Sequence, residues 1–279
     1  MTPRNLILQA VRSLKEAGVP DPETDAALLL SFLMGLPPLE LRMDMEHTVS
    51  AEIVSAYGDL IGKRQKRIPL QYLTESVRFH GLDFRVDSRV LIPRPETEQL
   101  VDWGLEILKN VAAPAVLDLC CGSGCIGLSI LAARSDAAVT LTDLSEEALA
   151  VARGNAEQLR LRVEFLHGNF LQPVRQRSFD LILTNPPYIP TGDLSDLQRE
   201  VRLEPIMALD GGTDGMDFYR RLAAEGALYL SPGGALLMEL GIGEGEAVSA
   251  LFRRTGAIQT ELRKDFAGID RMLLVRFGE

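Results

Sequence analysis

The chain has 279 residues and a formal net charge of −10 at pH 7. A chain of this length can bury the core of one large α/β domain and still carry a smaller module. Proteins that bind nucleic acid through its phosphates usually have a basic surface. The acidic balance argues against that class, and we expect no direct nucleic-acid partner.

The first third of the chain has the pattern of amphipathic helices. Apolar residues recur at helical spacing on one face of the first helix, at Leu6, Ala10, Leu14 and Ala17. Asp21 and Pro22 then supply an N-cap and a first-turn proline for a second helix over residues 26–34. Because these helices carry no evident acid, base or nucleophile, we expect residues 1–73 to be a partner-binding module. The alternative is a structural appendage.

The same region also indicates which side chains meet solvent and in which compartment the protein works. Its dense basic cluster at residues 63–67 is most simply a solvated helix end. Residues 1–20 have an amphipathic pattern unlike a signal peptide, and no apolar run of the sequence reaches membrane-spanning length. We therefore expect a soluble, cytoplasmic protein without a membrane partner.

A hairpin and an α/β pattern follow the helices. Residues 77–80 and 83–86 flank Gly81-Leu82, which predicts a short hairpin within a linker at residues 74–92. Over residues 93–279 strand and helix patterns alternate, which predicts an α/β domain with a parallel sheet covered on both faces. The predicted strands are residues 115–119, 139–142, 163–167, 179–184, 235–239, 257–262 and 271–277.

A glycine-rich loop follows the first strand of this sheet. Gly122 and Gly124 let a ligand approach the backbone closely, and the helix after them presents free N–H groups. With Gly127 they also form the G-x-G-x-x-G fingerprint of dinucleotide-binding domains. An NAD-dependent oxidoreductase and a non-catalytic nucleotide-binding module are therefore alternative functions.

The three cysteines of the chain, Cys120, Cys121 and Cys125, lie in this loop and at the start of the helix after it. Their spacing does not match the paired knuckles of zinc sites, and no histidine is near in the sequence. We therefore expect small buried thiols, a reducing compartment and no bound metal.

The ends of the next two strands carry side chains suited to an adenosine. Asp143 ends the second strand, where an acidic side chain can accept hydrogen bonds from both ribose hydroxyls. The alternative is that Asp143 only caps the helix that begins near Ser145. Phe170 follows the third strand and can either stack on an adenine or belong to the core, and both interpretations stay open.

The most informative segment is Asn185-Pro186-Pro187-Tyr188, which follows the buried strand at residues 179–184. Successive prolines remove backbone donors and fix φ, which leaves rigid carbonyl acceptors beside the Asn185 amide. A planar amide or exocyclic amine can donate one hydrogen to the Asn185 oxygen and the other to the Pro186 carbonyl. A proline-rich turn is the alternative. Because such a clamp aims a nitrogen at a methyl donor, the segment favours S-adenosylmethionine over NAD.

Together these residues resemble the class I S-adenosylmethionine-dependent methyltransferases, and within them the protein-(glutamine) methyltransferases that modify peptide chain release factors. The resemblance covers nearly the whole chain. Besides the glycine loop and residues 185–188, the motifs that carry it are Pro69-Leu70-Gln71-Tyr72-Leu73, Val90-Leu91-Ile92-Pro93-Arg94-Pro95-Glu96-Thr97-Glu98, Glu204-Pro205, Ala208-Leu209, Gly211-Gly212, Asp214-Gly215 and Ala267-Gly268-Ile269-Asp270-Arg271.

The resemblance implies a Rossmann-like sheet of seven strands with its last strand antiparallel, and a small helical N-terminal domain that docks the release factor. It implies methyl transfer from S-adenosylmethionine, with S-adenosylhomocysteine as product, to the glutamine in the Gly-Gly-Gln loop of the release factor. We expect a monomer.

The resemblance also assigns roles by position. The residues that it assigns to the cofactor are Cys120, Cys121, Gly122, Ser123 and Gly124 for the methionine part, Asp143 for the ribose, Phe170 for the adenine, and Asn185. Those that it assigns to the glutamine amide are Asn185, Pro186, Pro187 and Tyr188, with Asn185 and Pro186 as the catalytic residues. Cys120 departs from the family pattern, because the first glycine of the loop usually stands at its position.

An amino-methyltransferase that acts on adenine or cytosine in nucleic acid would use the same tetrapeptide, and it is a further alternative. The chain lacks a basic target-recognition region, and its net charge of −10 works against binding to a duplex. The sequence therefore favours a protein substrate, the peptide chain release factor.

Overall fold

The computed structural model describes residues 1–43 and 45–278. Its contacts divide the chain into a first unit of Met1–Ser76 with Gln198–Leu203, and a second unit of Val77–Leu197 with Glu204–Glu279. The sequence pattern contains no sign that the short segment Gln198–Leu203 joins the first unit. None of the helices within residues 1–43 and 45–278 is both long and apolar enough to cross a membrane.

The first unit contains the helices α1 (Pro3–Glu16), α2 (Pro22–Met34), α3 (Pro38–Met43), α4 (Ala51–Gln65) and α5 (Leu70–Thr74). Thr2 caps α1 and Ser50 caps α4, since each side chain accepts a backbone N–H of the first turn. Gly35 has a φ of +64° and ends α2 in the left-handed conformation. The apolar faces form a core that includes Leu6, Leu14, Leu29, Leu30, Leu41, Tyr57 and Ile61.

The basic residues at the end of α4 are not simply solvated, which corrects the sequence interpretation. Arg64 is only 5% exposed, and its Nε donates to Asp25 Oδ2 in α2 over 2.7 Å. A second carboxylate, Glu200, lies 2.9 Å from Arg64 and accepts from Arg67 over 2.6 Å. Asp25 is 39 residues from Arg64, and Glu200 is 133 residues from Arg67, so no local pattern could reveal these partners.

The hairpin consists of β1 (Ser76–Phe79) and β2 (Leu82–Arg85), and its turn lies one residue earlier than the sequence suggested. The turn residues are His80 and Gly81, with φ of +46° and +76°, rather than Gly81 and Leu82. A two-residue hairpin turn of this hand needs positive φ at both positions. Histidine tolerates that conformation better than leucine does, which accounts for the shift.

The strands of the main sheet are β3 (Ala115–Leu119), β4 (Ala138–Asp143), β5 (Glu164–His167), β6 (Phe179–Thr184), β7 (Leu230–Glu239), β8 (Ala257–Lys264) and β9 (Asp270–Phe277). In the described part of the chain they form a seven-stranded sheet in the order β5-β4-β3-β6-β7-β9-β8. Neighbours from β5 to β7 are parallel, and β9 runs antiparallel to both β7 and β8. The Rossmann-like sheet with an antiparallel last strand is therefore confirmed.

Helices cover both faces of this sheet, as the alternating pattern predicted. They are α6 (Pro95–Leu108), α7 (Cys125–Ala133), α8 (Glu146–Leu159), α9 (Asp217–Glu225) and α10 (Gly245–Arg254). Successive strand residues point to opposite faces, so Leu181 packs among residues of α6, α7 and α8, whereas Ile182 packs among residues of α9 and α10. In α/β sheets that helices cover on both faces, ligands generally bind in a crevice at the carboxyl ends of the parallel strands.

Asp118 of β3 is a carboxyl group that lies inside this sheet and is 0% exposed. Its Oδ2 accepts the backbone N–H of Gly127 over 2.8 Å, whereas Oδ1 has no hydrogen-bond partner among the described residues. Burial raises the pKa of Asp118 to about 7; the charge of Asp143 adds to this shift, and the Gly127 N–H opposes it. A Cβ on Gly127 would lie 2.9 Å from the Asp118 Cβ, so this glycine serves the packing of Asp118.

We expect Arg64→Ala to destabilise the first unit by about 3 kcal/mol or more, because it leaves the Asp25 carboxylate buried without its cation. Lys63→Ala, at the exposed neighbour on the same helix, should change the stability by less than about 0.5 kcal/mol. Urea unfolding followed by circular dichroism measures both variants. Equal midpoints for the two variants would contradict the buried ion pair.

We expect the stability of Asp118→Asn relative to that of the wild type to increase as the pH rises. The folded-state pKa of Asp118, about 7, is above the unfolded value near 3.8, so the folded state holds a proton that the unfolded state releases. The wild type therefore loses stability as the pH rises through this window, by up to about 1.4 kcal/mol per pH unit. Asparagine cannot ionise and escapes this loss. Urea unfolding of both proteins from pH 5 to pH 8 would disprove the expectation if their difference stayed constant.

Candidate active site

A cavity in the second unit opens at the carboxyl ends of β3, β4 and β6. With its open mouth it has an empty volume of about 1150 Å³, which is large enough for a nucleoside derivative. The predicted site residues in its wall are Cys120, Cys121, Gly122, Ser123, Asp143, Phe170, Asn185 and Pro187. Of the others, Gly124 and Pro186 are buried and Tyr188 is half-buried. The structure brings these residues together, and their binding roles stay predictions.

The loop that connects β3 to α7 turns sharply. Cys120, Gly122 and Gly124 have φ of +64°, +55° and +79°. Cys120 thus adopts the left-handed conformation that favours glycine. The backbone therefore follows the path that the usual first glycine of the loop would allow, and holding a cysteine in this conformation costs about 1–2 kcal/mol. A Cβ on Gly124 would lie 2.9 Å from Leu141, whereas a Cβ on Gly122 would meet nothing within 4 Å. Gly122 therefore leaves open space in the cavity wall.

The thiols of Cys120, Cys121 and Cys125 are free in the structure. Burial raises the pKa of all three thiols well above the usual range, and nearby carboxylates add to the shift. Thiols of this kind stay protonated at neutral pH, whereas the thiolate is the form that attacks electrophiles and binds metals. Cys121 and Cys125 are buried, as the sequence predicted, whereas Cys120 is only half-buried because it lines the cavity.

Asp143 ends β4 in the cavity wall and is half-buried. Its Oδ2 accepts the backbone N–H of Gly122 over 2.9 Å, and its Oδ1 accepts that of Ser145 over 2.8 Å. Burial raises the pKa of Asp143, and these N–H donors oppose the shift. Only the bond from Ser145 is near the helix of the capping interpretation, and the side chain that caps α8 is that of Ser145, which accepts the Ala148 N–H over 3.1 Å. Each oxygen also keeps a lone pair that a hydroxyl of a ligand can use.

Phe170 belongs both to the core and to the cavity wall, and it is 5% exposed. Its ring and that of Phe218 pack edge to face, with a centroid distance of 5.1 Å. The guanidinium of Arg221 lies 4.3 Å from the Phe170 centroid and also donates to Asn169 Oδ1 over 3.1 Å. An adenine that stacked on Phe170 would have to share the ring with Arg221 or displace it.

A buried carboxylate stands next to the tetrapeptide that follows β6. Glu239, the last residue of β7, is 2% exposed and accepts the Thr97 hydroxyl over 2.6 Å. Asn185 Nδ2 donates to the same Thr97 oxygen over 3.4 Å. The Tyr188 hydroxyl donates to the other oxygen of Glu239 over 3.5 Å. Glu239 was not among the residues predicted from the sequence, although its place at the end of a strand offered a usable signal.

The backbone of Tyr188 is approached closely by glycines from a later loop. A Cβ on Gly211 would lie 2.7 Å from the Tyr188 Cα, and a Cβ on Gly215 would be closer still to the Tyr188 carbonyl oxygen. The Gly211 N–H also donates to the Ile189 carbonyl over 2.8 Å. The Gly-Gly and Asp-Gly motifs therefore permit the close contact that holds the tetrapeptide in place.

Glu204 connects two other parts of the cavity wall and is 4% exposed. Its Oε1 accepts from Arg94 Nη2 over 2.5 Å, and its Oε2 accepts the backbone N–H of Ile92 over 3.0 Å. The cavity is lined by Pro93 on one side of this contact and by Pro205 on the other. The motifs at residues 90–98 and 204–205 therefore fix the shape of this wall together.

Two family models match the chain. The model described as Methyltransferase small domain matches residues 98–199, and the model described as PrmC N-terminal domain matches residues 5–74. The second match ends close to residue 73, where the sequence pattern placed the limit of the partner-binding module.

Solved structures share the fold of the chain. A methyltransferase from Pyrococcus furiosus has a TM-score of 0.53 at 20% identity, with 71% of this chain and 90% of that chain covered. The N-terminal domain of human METTL16 in complex with SAH has a TM-score of 0.54 at 16% identity, with 72% and 77% covered. At these identities the likeness shows the fold alone.

Relatives match along almost the whole chain. The release factor glutamine methyltransferase of Geobacter sulfurreducens is 42% identical over 266 residues, which cover 95% of this chain and 93% of that protein. That of Deinococcus radiodurans is 42% identical over 273 residues, with 98% of each chain covered. That of Clostridium acetobutylicum is 38% identical over 280 residues, with 99% and 98% covered. The chain therefore belongs to the release factor glutamine methyltransferase family.

Proposed function

We propose that this protein transfers a methyl group from S-adenosylmethionine to the side-chain amide nitrogen of the glutamine in the Gly-Gly-Gln motif of peptide chain release factors. The names of its relatives support this substrate class. The observation that carries the proposal is the position of Asn185, which lines the same cavity as Cys120, Gly122 and Ser123. A methyl donor in the loop and an amide at Asn185 would share one cavity.

The cavity wall has groups that fit S-adenosylmethionine. Thr142 lines the cavity, and its buried Oγ1 has no hydrogen-bond partner among the described residues. Gly122 leaves open space beside Asp143, which has lone pairs to accept from hydroxyls. The residues that would hold the cofactor are Cys120, Cys121, Gly122, Ser123 and Gly124 at its methionine part, Asp143 at the ribose, Phe170 at the adenine, and Asn185. When bound, this cofactor supplies a methyl group that its sulfonium sulfur has already activated.

The main task of the protein is to orient the glutamine side chain. An amide nitrogen is a poor nucleophile, because its lone pair is delocalised into the carbonyl, so positioning matters more than acid–base chemistry. Asn185 Oδ1 and the Pro186 carbonyl would each accept one amide hydrogen, and their dipoles would stabilise the positive charge that develops on nitrogen. Pro187 and Tyr188 would pack against the glutamine chain. The proton can leave the nitrogen after the transfer.

The other regions have proposed roles as well. Residues 1–73 would dock the release factor, residues 74–92 would link the two regions, and residues 93–279 would carry out the transfer. The separate apolar core of the first unit supports a distinct module. The net charge of −10 supports a protein partner without direct nucleic-acid contacts. We propose that the protein acts as a monomer and in the cytoplasm, where release factors work.

The protein should transfer labelled methyl groups into an intact release factor, and mass spectrometry should locate the label on the glutamine of Gly-Gly-Gln.

Asn185→Ala should lower kcat by about a hundredfold or more while S-adenosylhomocysteine still binds, because an orienting acceptor is lost. Asn110→Ala, at an exposed asparagine after α6, is the matched control and should leave kcat unchanged. A short Gly-Gly-Gln peptide should be a poor substrate, since it lacks the surface that residues 1–73 would bind. Label in nucleic acid alone, or near-normal kcat of Asn185→Ala, would refute the proposal.

Asp143→Ala should weaken S-adenosylhomocysteine binding by roughly 1–3 kcal/mol in calorimetry, because ribose hydroxyls lose a charged acceptor. The substitution also frees the Gly122 and Ser145 N–H groups, which Asp143 accepts in the wild type. An analogue that lacks the 3′-hydroxyl separates these effects. Its affinity should fall less on substitution than that of S-adenosylhomocysteine itself. Equal losses for both ligands would mean that Asp143 supports the loop and does not contact the ribose.

A further inference from the structure

We propose that Thr97 and Glu239 are positioning residues that turn the Asn185 carboxamide so that its oxygen, and not its NH2 group, faces the substrate. The inference rests on the proposed function, since the glutamine amide would donate hydrogens to Asn185. A carboxamide has an acceptor end and a donor end of similar shape. With the NH2 group towards the cavity, Asn185 would present donors to a substrate that itself donates.

The proton of the Thr97 hydroxyl has a defined acceptor. Thr97 Oγ1 lies 2.6 Å from Glu239 Oε2, and both residues are 2% exposed, so no bulk water competes for this bond. An ionised carboxylate only accepts hydrogen bonds, so the hydroxyl proton must lie between these two oxygens. The Thr97 oxygen therefore offers only lone pairs to its other neighbours.

Asn185 is such a neighbour, with its Nδ2 3.4 Å from Thr97 Oγ1. Because the Thr97 oxygen can only accept, the end of the Asn185 carboxamide that faces it must be the NH2 group. The carboxamide oxygen then points away from Thr97, and Asn185 lines the cavity. The single Thr97 proton decides this orientation, although the oxygen and nitrogen of a carboxamide are hard to tell apart by shape.

Glu239 is ionised above neutral pH in spite of its burial. Burial raises the pKa of Glu239 to about 7, and Glu96 adds to the shift, whereas the Thr97 hydroxyl, Arg271 and Tyr188 oppose it. Burial also raises the pKa of Tyr188, so the Tyr188 hydroxyl stays protonated and donates to the other Glu239 oxygen over 3.5 Å. Donors from residues around the substrate clamp therefore occupy both oxygens of this carboxylate.

The position of the three residues in the fold makes this arrangement rigid. Thr97 lies in the first turn of α6, Asn185 directly follows β6, and Glu239 ends β7. Thr184 pairs with Met238 in the parallel ladder between β6 and β7. The residues that follow them, Asn185 and Glu239, therefore lie side by side at the ends of these neighbouring strands. A carboxylate buried here costs folding free energy that an apolar residue would not. Its control of hydrogen-bond direction at Asn185 accounts for its presence.

Thr97→Val removes the hydroxyl with little change of shape, and Thr97→Ser keeps it. At pH 8 and with intact release factor, we expect Thr97→Val to lower kcat about tenfold or more, because Asn185 loses the partner that orients it. Thr97 lines the cavity, but valine keeps the shape of its side chain, so the KM for the release factor and the affinity for S-adenosylhomocysteine should stay within about twofold. Thr97→Ser should restore most of kcat. If Thr97→Val does not fold, Glu239→Leu removes the acceptor of the Thr97 proton and should lower kcat in the same way.

A double-mutant cycle distinguishes positioning from a general structural role. Thr97→Val should cause no further loss of kcat in an Asn185→Ala background, whereas independent effects would multiply. If the wild type does not methylate the release factor, the proposed function fails. If the wild type is active but Thr97→Val keeps its kcat, or the two losses multiply, this inference alone is wrong. If S-adenosylhomocysteine affinity falls together with kcat, Thr97 acts on the cofactor loop and the inference is also wrong.

Discussion

The candidate site depends on the parallel pairing of β3 with β6. In this register Leu119 lies opposite Thr184, and the Thr184 hydroxyl donates to the Leu119 carbonyl over 2.7 Å. The chain leaves both strands at the same edge of the sheet, so the loop at Cys120 and the clamp at Asn185 emerge beside each other. A one-residue slip would turn the side chains of β6 to the opposite faces and remove Asn185 from the cavity. The rest of the cavity wall is arranged around this register.

Buried carboxyl groups then align the elements around the site. Glu204 takes a donor from Arg94, and Glu239 takes one from Thr97, in each case from a distant part of the chain. An unpaired buried charge is costly, so each pair restricts how its two segments can pack. Asp118 differs, because one of its oxygens has no partner among the described residues and its pKa is raised to about 7. Apolar packing alone would leave these alignments less specific.

In the glycine loop, the backbone conformation is a stronger requirement than the residue type. Cys120 keeps a φ of +64° although a glycine would adopt it without strain. Gly127, in contrast, is required by its contact with Asp118 and not by a dinucleotide. The G-x-G-x-x-G fingerprint that raised NAD as an alternative therefore arises here from packing between α7 and β3. A glycine pattern is informative about a ligand only when the reason for each glycine is known.

Patterns in the sequence were enough to predict the alternation of strands and helices, the doubly covered sheet, and the placement of Asp143 and Asn185 at strand ends. These features follow from local periodicity and from motifs that directly follow a strand, so they need no knowledge of distant contacts. The burial of Arg64 and the position of Glu239 next to Asn185, in contrast, depend on contacts between distant segments of the folded chain. The partners Arg64 and Asp25 are 39 residues apart, and Thr97 and Glu239 are 142 residues apart. Such pairs form only when the folded core brings their elements together, which no local pattern encodes.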